Sequence, residues 1–286
     1  MIAHVAEAGE DRGRVVLRLG PTASHSPIAV AAAMRVAAAY GSELESLFVE
    51  DAQLFDAVRF PFVRELDVAT GSVRELAPET LSRRLRATAG LVQGEVAEHA
   101  SACGVRVRAS VVRADPLVAL AEACSESGPW NVIVLGDAIA ADDMALLSAM
   151  FDSVVDATGV VLVGTAATSD CGPVVAVVED LARLPPMLRA AQRLAATTGG
   201  RIDLVFLAAD VEFATWMEGQ ARLAIGNSPT VSVAAVEVAD SSTRAVAGIA
   251  ALRAGFVIAQ FGGLLVHPDD TSGAIAQLAC PVFLVR

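Results

Sequence analysis

Two stretches of the chain, residues 14–51 and 173–210, share one length and one order of features. Each has an apolar run, a proline, an alanine-rich stretch, a glycine and a second apolar run, closing on Asp51 in one and Asp210 in the other. Laid over each other without a gap, they match Val15 with Val174, Val16 with Val175, Pro27 with Pro186, Ala32 with Ala191, Gly41 with Gly200 and Asp51 with Asp210. A second gapless block, at a smaller offset, matches Ala114-Asp115 with Ala239-Asp240 and Val132-Ile133 with Val257-Ile258. A chain that repeats itself on this scale is built from two like units, so a fold that suits one copy must suit the other. The change of offset places extra residues in the first copy, between Asp51 and Ala114.

Within each copy, short apolar runs alternate with alanine-rich or amphipathic stretches. In the first, 15–19 is a continuous apolar run of the buried-strand kind, ended by Gly20-Pro21. Ser26-Pro27 opens a helix that Gly41 stops, and 44–49 is a second strand. Ala77-Pro78-Glu79 starts a long helix in which Leu81, Leu85, Val92 and Val96 form one apolar stripe. Strands at 105–112, 132–135 and 160–163 follow, with helices near 117–124 and 145–157 between them. The second copy runs strand 174–178, helix 185–198, strand 202–208, a short segment around Trp216, strand 231–238, helix 241–253, strand 256–260, helix 271–279 and strand 281–285. Strand alternating with helix is the rhythm of a parallel, doubly wound sheet. The expected fold is therefore α/β: two similar doubly wound units, each with a five-stranded, mainly parallel sheet. They span 1–164, with an insertion at about 52–104, and 173–286, joined by the polar stretch 165–172.

Composition narrows the function. Hydrophobic residues make up 54% of the 286 and aromatic ones 5%, so packing is by Val, Ala, Leu and Ile, as in sheets buried on both faces. A net charge of −12 without a basic stripe opposes a polyphosphate partner, and no nucleic-acid binding is expected. All 21 basic residues are Arg, which removes a phosphate-loop lysine, a Schiff-base lysine and a lysine base together. Cys103, Cys124, Cys171 and Cys280 share no Cys-x-x-Cys spacing, and His4, His25, His99 and His267 form no ligand set. No metal site is expected, and a reduced, cytoplasmic protein is. The start of the chain is too polar for a signal peptide. The apolar stretch 245–266 is long enough to span a membrane, but the repeat divides it at Ala254-Gly255 into a helix and a strand, so no membrane span is expected. Ser24-His25-Ser26 lacks the positioned acid and the turn that a nucleophile needs.

A doubly wound sheet binds ligands beyond the carboxyl ends of its strands. In the first copy these are Gly20-Pro21, Glu50-Asp51, Arg113-Ala114-Asp115-Pro116 and Gly136-Asp137. Here the sequence takes on a family likeness. Val111-Val-Arg-Ala-Asp-Pro-Leu-Val-Ala-Leu-Ala-Glu-Ala123, Trp130-Asn-Val-Ile-Val-Leu-Gly136 and, in the second copy, Ala279-Cys-Pro-Val-Phe-Leu-Val-Arg286 resemble the third-, fourth- and fifth-strand regions of the universal stress protein family. The resemblance covers both copies. It implies a tandem member with Rossmann-like units whose halves pair about a pseudo-two-fold axis, as a dimer within one chain. It also implies an ATP signature after the fourth strand: Gly, two residues, Gly, nine residues, Gly, then Ser or Thr. Glycines let the backbone close on phosphates, and N–H groups at a helix start take the negative charge. From Gly136 that register gives Ile139, Ala149 and Met150 at the other three positions, while Asp137, Asp142 and Asp143 bring repulsion toward a triphosphate. In the second copy Gly262-Gly263 follow the fourth strand, but His267-Pro-Asp-Asp270 replaces the later Gly-Ser region. The family's acidic residue at the end of strand one has no counterpart at Leu19-Gly20-Pro21, whereas Glu179-Asp180 supplies one in the second copy.

The candidate nucleotide-binding residues are thus Gly136, Asp180, Gly262 and Gly263, with tight strand-to-loop turns as the other explanation for the glycines. Asp142-Asp143 and Asp269-Asp270 are surface helix starts or else a cation pair, and Asp51 and Asp210 cap the segments after them. The expected function is non-enzymatic: a cytoplasmic stress-associated or regulatory protein with a degenerate nucleotide site, no cofactor and no catalytic residues. The alternative is an ATP- or AMP-binding sensor that uses the second unit. A small-molecule enzyme of related nucleotide-binding architecture ranks third, since no acid, base or nucleophile set is present. The insertion concentrates Phe55, Val58, Phe60, Phe62, Val63 and Leu66. These are expected to pack on their own unit, with a homo-oligomer or another protein partner through 54–66 as the alternative.

Overall fold

The computed structural model describes residues 13–20, 25–67, 69–126, 128, 130–138, 144–208, 210–226, 228–238, 242–263, 265–267 and 273–286. The first half runs β1 (Arg14–Leu19), α1 (Pro27–Tyr40), β2 (Glu43–Asp51), α2 (Ala52–Val58), β3 (Arg64–Leu66), β4 (Val73–Glu75), α3 (Pro78–Cys103), β5 (Val107–Ala114), α4 (Pro116–Ser125), β6 (Asn131–Leu135), α5 (Met144–Ser153) and β7 (Ala157–Leu162). The second runs β8 (Val174–Val178), α6 (Leu184–Ala196), β9 (Ile202–Ala208), α7 (Val211–Ile225), β10 (Val231–Val238), α8 (Ser242–Ala251), β11 (Phe256–Gln260), α9 (Ala274–Gln277) and β12 (Val282–Val285). Local chemistry sets the ends. The Ser26 hydroxyl accepts the Ala29 N–H at 3.4 Å ahead of Pro27, and Gly41 closes α1 in the left-handed region at φ +61. Asp51, Asp115 and Asp210 cap α2, α4 and α7 through their carboxylates.

Ten strands form one sheet, in the order β10-β9-β8-β11-β12-β7-β6-β1-β2-β5, and β3 pairs with β4 as a separate hairpin. Both halves therefore carry the same strand order in the large sheet, third-second-first-fourth-fifth, with every pairing of that sheet inside a half parallel. The two fifth strands meet antiparallel, Val282 opposite Leu162 and Val285 opposite Gly159. On one face of the sheet lie α1, α3, α6 and α7; on the other lie α4, α5, α8 and α9.

The seam between halves is tight. A β-carbon at Gly159 would lie 2.3 Å from the Phe283 ring and 2.7 Å from the Leu284 carbonyl, so only a glycine lets the strands approach this closely. The Arg286 guanidinium crosses the seam and donates to the carbonyls of Phe151, Val154 and Val155 at the end of α5. There the helix dipole favours a cation. Phe261 stacks on Phe151 with ring centroids 4.0 Å apart. On the other face Arg35 of α1, only 7% exposed, donates to the Asp170 carbonyl at 2.5 Å and to the Leu194 carbonyl of α6 at 3.3 Å. Burial pulls the Arg35 pKa below its ordinary value, and the nearby Asp170 opposes that pull.

The register departs from the gapless match in both blocks: Val15 pairs with Leu44 but Val174 with Ile202, a slip of one residue in the second strands, and the fourth strands slip as well. Val15 pairs with Val132, whereas Val174, the counterpart of Val15, pairs with Phe256. Val132 is therefore equivalent to Phe256 and not to Val257, and both face α1 and α6 in one core while Ile133 and Val257 face the other. A one-residue slip reverses every side chain in a strand, so burial decides between the two alignments. A bulge in β10 between Val233 and Ala235 adds one residue to the third strand of the second half.

Two further expectations change. The segment around Trp216 is the fifteen-residue helix α7, and the helix expected at 271–279 is the short α9. The insertion forms α2 and the hairpin. Its Phe55 and Val58 enter the core as expected, but Phe60 and Phe62 stack on each other with centroids 5.5 Å apart and remain 54% and 76% exposed. Leu66 is exposed as well and Val63 half-buried, so full packing on the own unit holds for Phe55 and Val58.

Replacing Gly159 by Val should cost about 1 to 3 kcal/mol or more of stability through overpacking at the seam, read by urea denaturation. Phe55→Ala should cost about 3 to 5 kcal/mol. The double change Phe60→Ser and Phe62→Ser should leave the midpoint within experimental error, and equal losses in the two variants would show that the exposed pair is buried in solution.

Candidate functional site

Strand order reverses between β1 and β6 in the first half and between β8 and β11 in the second, so each half has a crevice beyond the carboxyl ends of those strands. In the first half β1 ends at the buried Gly20 and β6 at Gly136-Asp137. A β-carbon at Gly20 would lie 2.4 Å from Asp137 Oδ2, so the Asp137 carboxylate rests directly on the bare backbone of Gly20. The Gly136 N–H donates to the Arg18 carbonyl at 2.8 Å, and the Ser26 N–H at the start of α1 donates to the Gly136 carbonyl at 2.8 Å. A phosphate entering here would meet a carboxylate and find the helix-start amide already in use. Met150, at the position where the signature has a hydroxyl, is 1% exposed and packs in the core. Ile139, Asp142, Asp143, Asp269 and Asp270 lie outside the described residues.

The second crevice is filled from the opposite side. Register places Glu179 where the first half has Gly20, and Gln260, not a glycine, where it has Gly136. The Glu179 carboxylate turns into the loop after β11. A β-carbon at Gly263 would fall 2.6 and 2.7 Å from its two oxygens, and the Leu265 N–H donates to Oε1 at 3.2 Å. Gly262, at φ +81, makes the turn, and its N–H donates to the Val266 carbonyl at 2.9 Å. Asp180 is exposed and caps its own short helical turn, accepting the Ala182 N–H at 2.9 Å. Of the four candidates, Gly262 and Gly263 share one loop closed on Glu179, Asp180 serves a cap, and Gly136 belongs to the other crevice. The second crevice's own anion, Glu179, was visible in the sequence as an acid at a strand end. Asp137 was visible too, as one of the loop acids that repel a triphosphate, but its contact with Gly20 was not.

The remaining reactive groups are held elsewhere. His25 Nε2 lies 3.1 Å from Glu95 Oε2, and Ser26 caps a helix. Burial pushes the thiols of Cys124 and Cys280 up to about 12, so neither is a thiolate at neutral pH. Among the described residues no group of three or more His, Cys, Asp or Glu is placed to hold a metal ion, and no helix is long and apolar enough to cross a membrane. One pair escaped the sequence reading: Glu50 at the end of β2 lies directly across from Arg113 of β5, and its Oε2 accepts from Arg113 Nε at 2.9 Å and Nη2 at 2.7 Å. Both residues stand at strand ends, but only the strand register brings them together.

No protein-family model matches the sequence, and no curated protein is found similar to it. Solved structures are similar over nearly the whole chain. A universal stress protein from Archaeoglobus fulgidus superposes with a TM-score of 0.64 at 14% identity, covering 97% of both chains. Two Pseudomonas aeruginosa proteins, from strains PAO1 and UCBPP-PA14, each give a TM-score of 0.58 at 12% and 13% identity, covering 96% of this chain and 92% of theirs. The PAO1 protein is itself of unknown function. The chain thus has the α/β fold of a universal stress protein, with two like halves in one continuous sheet.

Proposed function

We propose that the chain is a non-enzymatic, stress-associated or regulatory protein of the universal stress family, working in the cytoplasm, whose two nucleotide crevices are closed to ATP by its own carboxylates. One observation carries this reading: Glu179 holds the Leu265 amide and lies against Gly263, while Asp137 lies against Gly20. In the second half an amide that would receive phosphate thus already faces an anion, and in the first an anion stands in the crevice. Two like charges 4 Å apart repel by roughly 4 kcal/mol at an effective dielectric of 20. That is as large as the whole binding free energy at a millimolar dissociation constant, about −4 kcal/mol. A sensor that binds ATP or AMP through the second half would require Glu179 to leave the loop.

Calorimetry with ATP, with and without Mg²⁺, should give dissociation constants of about 1 mM or weaker for the whole chain. Glu179→Ala, which frees the Leu265 amide and the space above Gly263, should tighten binding by about tenfold or more. A low-micromolar constant for the unaltered chain would sink the closed-crevice reading in favour of the sensor.

A further inference from the structure

A groove of about 620 Å³ lies between α3 and β5, shares no lining residue with Gly20, Gly136 or Asp137 of the first crevice, and is lined by Glu50, Arg86, Gly90, Gln93, Val111 and Arg113. β5 is the end strand of the sheet, and α3 leaves its Val111 46% exposed. The helix wall is small where the groove runs. A β-carbon at Gly90 would meet nothing within 4 Å, although glycine in a helix interior costs about 1 kcal/mol relative to alanine. Gln93 pins the floor by donating to the carbonyls of Ser46 and Ser110 at 3.0 and 2.9 Å.

The polar groups on this groove are positioned but incompletely used. The Arg113 guanidinium is fixed by Glu50 Oε2, by the Ser82 hydroxyl at 3.2 Å and by the Phe55 ring at 3.6 Å, yet its Nη1 donates to none of the described residues. Glu50 is 3% exposed, and its Oε1 is buried and accepts no hydrogen bond. Such a carboxylate oxygen without a donor is costly. Arg86 Nε is 4.0 Å from that oxygen, beyond hydrogen-bonding distance, and the Arg86 side chain is 73% exposed, so it can swing aside cheaply.

A ligand that completes this arrangement must bring a donor to Glu50 Oε1, an anion to the guanidinium groups of Arg86 and Arg113, and an apolar body to Val111 and the bare turn at Gly90. Ammonium and carboxylate on one carbon, with an apolar side chain, meet all three demands. We propose that this groove binds a free α-amino acid with an apolar side chain, its ammonium on Glu50 and its carboxylate bridging Arg86 and Arg113. The site is independent of the nucleotide crevices, and its occupation would tie the insertion's helix to the edge of the sheet.

The test is calorimetry on the full chain with leucine, valine and methionine, then with leucinamide and N-acetylleucine, which lack the carboxylate and the ammonium respectively. At least one free amino acid should bind saturably, and both leucine derivatives should bind about tenfold or more weakly than leucine. Gly90→Leu fills the groove where there is room and improves the helix, so it should keep the wild-type melting temperature while weakening the amino acid by about tenfold or more. The proposal is overturned if none of the three amino acids binds below about 10 mM. Equal binding of N-acetylleucine, or undiminished binding by the folded Gly90→Leu protein, would overturn it as well.

Discussion

The antiparallel pairing of β7 with β12 is the contact on which the rest of the molecule depends. Each half alone would expose its fifth strand as an unprotected edge, and pairing the two edges removes both at once. The approach is close enough that Gly159 leaves no room for a side chain beside Phe283. Around this seam the halves exchange specific groups. Arg286 from the second half caps α5 of the first, and Phe261, in the loop after β11, stacks on Phe151. Phe261 occupies the position that Asp137 has in the first half. A residue that would otherwise stand in the second crevice is thereby committed to holding the halves together.

That commitment bears on which residue brings a carboxylate to each crevice. In the first half the fourth-strand loop supplies the carboxylate and the first strand ends in a glycine that makes space for it. In the second the fourth-strand loop is spent on the seam, and the first strand supplies Glu179 instead. On the proposed reading, two copies of one fold place a carboxylate in each crevice through residues that are not equivalent. In the second half the Glu179 carboxylate takes the Leu265 amide, and on the proposed reading it disfavours phosphate there by its charge.

How much of this was legible depended on which strands carry a distinguishing pattern. The first strands of each copy matched without a gap, but the second strands slip by one residue, Leu44 being equivalent to Ile202 and Gly41 to the left-handed Gly199, although Asp51 and Asp210 each cap the helix that follows. The fourth strands slip too, since Asn131–Leu135 and Phe256–Gln260 are buried on both faces almost throughout. A strand with no polar alternation has no signal that distinguishes one register from the next. Helix α7 was underestimated because Val211, Phe213, Trp216 and Leu223 point outward and blur the apolar stripe. The aromatic insertion misled in part, because composition reports that Phe60 and Phe62 are apolar but not that they cover each other. The glycines and the acids Asp137 and Glu179 were legible as positions, while the contacts of Asp137 with Gly20 and of Glu179 with Gly263 and Leu265 had to come from tertiary structure.

The most direct measurement is native mass spectrometry of the full chain, purified gently without added nucleotide. With Asp137 and Glu179 in the two crevices, the expected spectrum is that of the chain, or its assemblies, free of adenine nucleotide. A mass increment of one ATP or AMP per chain, retained through purification, would mean that a crevice accepts phosphate after all and would contradict the closure of both sites by the protein's own carboxylates.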